Sequence, residues 1–208
     1  MGHIAMELGV SKSTVSLWTR DIELTDDQKL QNWRLHQSSD ATEKRCRARS
    51  DKCRTRRHAA QESGRVAAQA RDSEHASGCM LYWAEGTKDR NQLAFANSDV
   101  HMVQAFARFL RESFDVPNDD FIVRLNVYLN NGLSLEVIEA HWLDALELPR
   151  SCLRGHQLNH FPTSSSGKKR SLPFGVCTLR VKRSTPILQH IYGAIQEYGG
   201  FEEPKWLG

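Results

Sequence analysis

Phe121-Ile122-Val123-Arg124-Leu125-Asn126-Val127-Tyr128-Leu129-Asn130 places Phe121, Val123, Leu125, Val127 and Leu129 on one side of an extended chain. Ile122, Arg124, Asn126, Tyr128 and Asn130 fall on the other. Period two is the pleat of a β-strand, and the split in polarity means that one face is buried and the other is wet. Cys177, Leu179 and Val181 alternate in the same way with Thr178, Arg180 and Lys182. Leu93 with Phe95 marks a shorter strand, and residues 153–161 hold a fourth, less sharply patterned one. The apolar faces need covering, and helical stripes are at hand. Val103, Phe106, Ala107, Leu110 and Phe114 follow a cap expected at Ser98, and Ile138, Trp142, Ala145 and Leu146 follow Ser134 and end by Pro149. Leu188, Ile191, Tyr192 and Ile195 follow Thr185 as cap and Pro186, and stop at Gly199. The chain from 73 to 200 therefore reads as an α+β domain, a mixed sheet with helices packed on one face. Its other sheet face, with Arg124, Asn126, Tyr128, Thr178, Arg180 and Lys182, is polar and cationic.

That face gains meaning from the charge elsewhere. Of the 208 residues, 25% are charged and 39% apolar, which excludes collagenous and wholly disordered classes, and the net charge is only +3. Between Lys44 and Arg57, however, Lys44, Arg45, Arg47, Arg49, Lys52, Arg54, Arg56 and Arg57 face the single acid Asp51, so the rest of the chain is net acidic. Concentrated positive charge favours a polyanion through counterion release, and nucleic acid is the leading partner. Arg45, Arg47 and Arg54 are candidate phosphate contacts. The segment 25–72 around them is poor in large apolar groups after Trp33 and Leu35, and it predicts an exposed helical arm with no face wide enough to bury. A loop at Ser164–Arg170 adds Lys168, Lys169 and Arg170, and residues 201–208 form a tail.

Residues 1–24 carry Ile4-Ala5-Met6-Glu7-Leu8-Gly9-Val10-Ser11-Lys12-Ser13-Thr14-Val15-Ser16-Leu17-Trp18, which looks like a helix-turn-helix. Small Ala5 permits close approach, Gly9 the left-handed turn, Ser11 a cap, and Val15 with Trp18 is expected to anchor the second helix. Lys12, Ser13, Ser16 and Arg20 would project toward a major groove. The unit resembles that of resolvases, transposases and bacterial regulators. It lacks a preceding support helix, so either Leu24–Leu35 packs in its place or the natural start lies upstream.

Gly78-Cys79-Met80-Leu81-Tyr82-Trp83-Ala84-Glu85-Gly86-Thr87-Lys88 predicts a helix whose last turn holds Glu85, a carboxylate at the negative end of the macrodipole. A broken local rule of this kind marks a candidate functional position, and Mg²⁺ would compensate it. The segment resembles the LAGLIDADG family, whose motif is a helix ending in an acid followed by Gly. The resemblance runs on through Phe95-Ala96-Asn97-Ser98-Asp99 and Leu172-Pro173-Phe174-Gly175-Val176. It implies a saddle of strands on DNA and a homodimer in which Gly78, Leu81, Tyr82 and Ala84 form the helix contact. It further implies Glu85 as the Mg²⁺-holding acid of an endonuclease. Lys182 or Arg180 would neutralise transition-state charge. Met80 replaces a usually small residue and Trp83 a short acid. Some relatives, sporulation regulators of actinobacteria among them, bind DNA without cutting it. The expectation is thus a protein that binds double-stranded DNA, either a Mg²⁺-dependent endonuclease or a cleavage-inactive transcriptional regulator, with an RNA-binding module as the further alternative.

Other chemistry is thinly represented. Cys152, His156 and His160 are ligand-type residues, but they lack the second pair of a structural zinc site. His141 and His190 sit on helical patterns as half-buried, hydrogen-bonded residues rather than bases. No phosphate-cradling Gly loop, dinucleotide fingerprint or Ser/His/Asp order is present, so no small-molecule substrate is expected. Scattered cysteines (Cys46, Cys53, Cys79, Cys152, Cys177), no apolar run of spanning length and no signal peptide at Met1–Ile4 point to a reduced, cytoplasmic protein free of membranes.

Overall fold

The computed structural model describes residues 2–37, 39–128, 132–159 and 172–207. It divides into two units, Met1–Asp51 and Lys52–Gly208. The first opens with α1 (Gly2–Glu7), α2 (Lys12–Trp18) and α3 (Asp26–Gln37), followed by the start of the long α4 (Ser39–Gln69). Local chemistry sets these helices. Gly9 takes φ +65° in the turn, and Ser11 Oγ caps α2 by accepting the Thr14 N–H. Thr25 and Gln28 cap α3 reciprocally: the Gln28 side chain accepts the Thr25 N–H at 2.9 Å and Thr25 Oγ1 accepts the Gln28 N–H at 3.4 Å.

The anchoring is weaker than the motif predicts. Ala5 and Val15 are buried, but Trp18 is 58% exposed and does not hold α2 in place. The segment Leu24–Leu35 does not supply the missing layer either, because Leu24, Leu30 and Trp33 all lie open. α3 is too polar to offer a continuous apolar stripe.

The second unit starts in the carboxy-terminal part of α4 and continues through α5 (Ser73–Glu85), β1 (Ala94–Asn97), α6 (Val100–Phe114) and β2 (Phe121–Tyr128). Then come α7 (Leu135–Leu146), β3 (Gln157–Asn159), β4 (Val176–Val181) and α8 (Thr185–Gly199). The four strands lie in the order β1-β4-β2-β3, with β4 antiparallel to both neighbours and β3 parallel to β2. This is the α+β class that the alternating patterns predict. Phe95, Val123, Leu125 and Leu179 face a core closed by Tyr82, Phe106, Ile191 and Tyr192. Aromatic stacking fills the centre, with Phe106 4.5 Å from Phe95 and 5.6 Å from Tyr82 between ring centroids.

Three boundaries shift. Asp99, not Ser98, caps α6. Ser184, not Thr185, precedes α8, and its hydroxyl accepts the Leu93 N–H instead of capping the helix. α7 ends at Leu146, with Glu147 as its left-handed cap, before Pro149.

A larger correction concerns the arm. One face of its last third is covered: Gln61 and Ala68 are buried while Val66 lies open, and α4 crosses α8 at glycines. A Cβ on Gly64 would fall 1.9 Å from the His190 carbonyl oxygen, and one on Gly193 1.9 Å from that of Gln61. Backbones this close need no large apolar side chain to exclude water, which is why the polar composition conceals the contact. Within it the Gln61 side chain donates to Gln189 and accepts from Gln196. Among the described residues no helix is long and apolar enough to cross a membrane.

Candidate nucleic-acid interface

The pleat and the register together build one polar surface. Arg124 pairs with Thr178, Ile122 with Arg180, and Asn126 with both Val176 and Gln157, while Tyr128 pairs with Asn159. Paired residues share a face, so Arg124, Asn126, Tyr128, Thr178, Arg180, Gln157 and Asn159 stand on the side opposite the core. Arg124, Asn126 and Gln157 are exposed. Asn159 donates its amide to Asn126 Oδ1 at 2.6 Å, fixing two amides side by side. The Arg180 Nε is buried and has no hydrogen-bond partner among the described residues. Gln157 and Asn159 were not evident as site residues from sequence, because a three-residue edge strand carries too little alternation to read.

The residues proposed for chemistry do not converge. Glu85 is the exposed last residue of α5, and the Asn97 amide donates to its carboxylate at 3.4 Å. Asn97 pairs with Cys177, whereas Lys182 lies five residues further on, just past the end of β4, a run of about 17 Å. There Lys182 Nζ donates to the Asp119 carbonyl at 2.5 Å and stands 3.9 Å from Asp120. Lys182 is thus a cation at the sheet's far end rather than a partner of Glu85.

The end of α5 beside Glu85 is not left bare. Lys88 folds back so that its ammonium donates to the carbonyls of Trp83 at 2.8 Å, Gly86 at 2.7 Å and Tyr82 at 3.3 Å. The helix end is therefore compensated by the chain itself. Burial pushes the Lys88 pKa below its ordinary value, and the Glu85 charge opposes that shift. Within one chain Glu85 offers a single carboxylate beside one amide, and among the described residues no three His, Cys, Asp or Glu side chains group to hold a metal, so the expected Mg²⁺ would need the Glu85 of a second copy.

The expected helix contact is also half internal. A Cβ on Gly78 would meet the Phe109 ring at 2.1 Å, and Tyr82 is fully buried with its hydroxyl donating to the Thr87 carbonyl at 2.6 Å. Gly78 and Tyr82, four residues apart, share the core-facing side of α5. Leu81 is half-buried and Ala84 exposed, so only these two remain outward.

In the first unit Lys12, Ser16 and Arg20 are exposed as expected, while Ser13 Oγ is engaged by Ser11 Oγ at 2.7 Å. Arg47 pairs with Glu43, and Arg45 and Arg54 are exposed. Lys168, Lys169, Arg170, Asn130 and His160 lie outside the described residues.

Cys152 and His156 diverge: the thiol donates to the Asn118 carbonyl, and His156 Nε2 lies 2.8 Å from Glu139 Oε1. Glu139, itself buried, also sits 2.5 Å from Arg150. His141 stacks on Phe174 with ring centroids 3.7 Å apart. His190 contacts His75 through their Nε2 atoms at 3.1 Å and Ser63 Oγ at 3.3 Å. Burial, with His75 beside it, pushes His190 down to about 4. No protein-family model, curated protein or solved structure matches the chain.

Proposed function

We propose that this protein binds double-stranded DNA through the solvent face of its sheet. The observation that carries the reading is the register that sets Arg124, Asn126, Gln157, Asn159, Thr178 and Arg180 on one unburied surface. Guanidinium groups suit guanine edges and phosphates, and carboxamides suit adenine edges. Lys12, Ser16 and Arg20 of the helix-turn-helix supply a second set of groove contacts. The resemblance to LAGLIDADG proteins is supported by a helix ending at Glu85-Gly86, followed by strands with one bare face. Homodimerisation through Leu81 and Ala84 belongs to this reading.

Fluorescence anisotropy with labelled duplex DNA tests it. An Arg124→Ala/Arg180→Ala pair is expected to weaken binding at least about tenfold, given about 1–3 kcal/mol for each good base contact. Unchanged affinity in the pair defeats the reading, and tighter competition by structured RNA than by duplex DNA replaces it with an RNA-binding one. The regulator form is favoured over the nuclease because Lys88 already neutralises the end of α5. Plasmid incubated with Mg²⁺ and either the parent protein or Glu85→Gln decides between them: nicking by the parent alone restores the nuclease.

A further inference from the structure

A second cationic feature stands where the basic helix meets the end of the sheet. A cleft of about 360 Å³ is lined by Arg56 and Arg57 of α4, by Arg183, Thr185 and Pro186 where β4 turns into α8, and by Asn91. A neighbouring hollow of about 430 Å³ shares Asn91, Arg183 and Thr185 and adds Arg180 and Lys182. No carboxylate lines either one. The cations therefore run from Arg180 on the sheet face, through Lys182 and Arg183, beside which Asp120 stands, to Arg56 and Arg57.

The hydrogen bonding leaves this positive charge largely uncommitted. Arg57 spends its Nε on the Leu207 carbonyl at 2.8 Å, and the Arg56 guanidinium makes no hydrogen bond or ion pair among the described residues. Arg183 reaches Asp120 at 3.1 Å while remaining 84% exposed, so that pairing is worth little in water. The backbone of Arg183 is unusual as well. Its φ is +52°, a left-handed conformation that glycine or asparagine adopts more easily, yet the chain places an arginine there. Strain of this kind on a charged residue at a cleft mouth is what a binding role preserves.

We infer that this cleft is a clamp for one backbone phosphate of the bound nucleic acid, held between Arg56 and Arg57 on one wall and Arg183 on the other. The clamp rests on the DNA-binding reading and extends it: one strand leaves the sheet face along Arg180 and Lys182 and is gripped against α4. Planar guanidinium forks match phosphate oxygens two at a time, and the contact is blind to base sequence.

The test is the salt dependence of duplex binding by the full chain. Arg56→Gln/Arg57→Gln and Arg183→Gln are each expected to lower affinity about 5–10-fold on every duplex sequence. Each is also expected to flatten the plot of log affinity against log salt by about 0.9, the value for one phosphate contact. Arg183→Gly, which relieves the positive φ, should weaken binding equally while its melting temperature holds or rises; this separates lost binding from lost folding. If these variants bind like the parent while Arg124→Ala weakens binding, the sheet binds DNA and the clamp is refuted. If the parent binds no DNA, the cleft is examined with inorganic phosphate and pyrophosphate by thermal shift. Stabilisation of the parent but not of Arg56→Gln/Arg57→Gln moves the site to free phosphate groups, and no stabilisation refutes it.

Discussion

The two units of the chain are built from helices by opposite means. In Met1–Asp51 the only buried apolar side chains among the described residues are Ala5 and Val15, while Met6 is 85%, Leu17 64%, Trp18 58% and Trp33 59% exposed. In Lys52–Gly208 the sheet and its helices close over a continuous aromatic and aliphatic core. Caps and turns hold the first unit: Ser11, Gly9 and the reciprocal Thr25–Gln28 pair. Such signals choose where a helix begins and stabilise it by about 1 kcal/mol each, and packing supplies most of what makes it persist. The first unit is legible but weakly bound, and the second is tightly bound for reasons its sequence only partly displays.

This contrast is most sharply broken at Phe106. Phe106→Ala should cost the second unit about 3–5 kcal/mol in denaturant unfolding, because its ring is fully buried between Tyr82 and Phe95. Gly193→Ala should cost about 3 kcal/mol, since the new Cβ would fall 1.9 Å from a backbone carbonyl that cannot step aside. A loss below about 0.5 kcal/mol would mean that the α4–α8 crossing is loose and that the second unit begins after α4.

Acid should act on the second unit next. His190 is held at about 4 in the fold against 6.5 when free, so the unfolded chain binds the proton more readily. Stability from this group is complete above pH 6.5 and declines as pH falls from 6.5 toward 4. The decline amounts to about 1–2 kcal/mol once its partial exposure is allowed for. Burial lowers His75 as well and acts in the same direction. Melting temperature against pH should fall less steeply in His190→Gln than in the parent, and parallel curves would defeat the assignment. The smallest effect belongs to the first unit: Trp18→Ser and Trp33→Ser should each change stability by no more than about 0.5 kcal/mol, because neither ring is covered. A larger loss would show that these rings have a partner in solution.

Legibility tracks the kind of force involved. β2 and β4 declare themselves because one buried face forces alternation, and α6 because its stripe must meet that face. The polar sheet surface follows from the same pleat, so Arg124, Asn126, Thr178 and Arg180 were readable as a set. Asn159 was not, since its place depends on a parallel pairing with β2 across an intervening helix. The Arg56–Arg57–Arg183 cleft was not readable either: its two walls are more than a hundred residues apart along the chain, and charge alone does not say which arginines meet. Glu85 misled in an instructive way. Its place at the end of α5 was correct, but whether that end stood uncompensated depended on where the Lys88 side chain turned.

Periodic burial, capping chemistry and the clustering of charge are local properties, each satisfied within a few residues, and the amino-acid order determined them directly. Helix positions, the two main strands and the polar sheet face belong to this class. Only the tertiary structure decided that α4 packs glycine to glycine on α8, that Gly78 and Tyr82 face inward, and that Lys182 is remote from Glu85. Each of these is a meeting of distant segments, chosen by shape and backbone approach, which hydrophobicity along a chain does not encode.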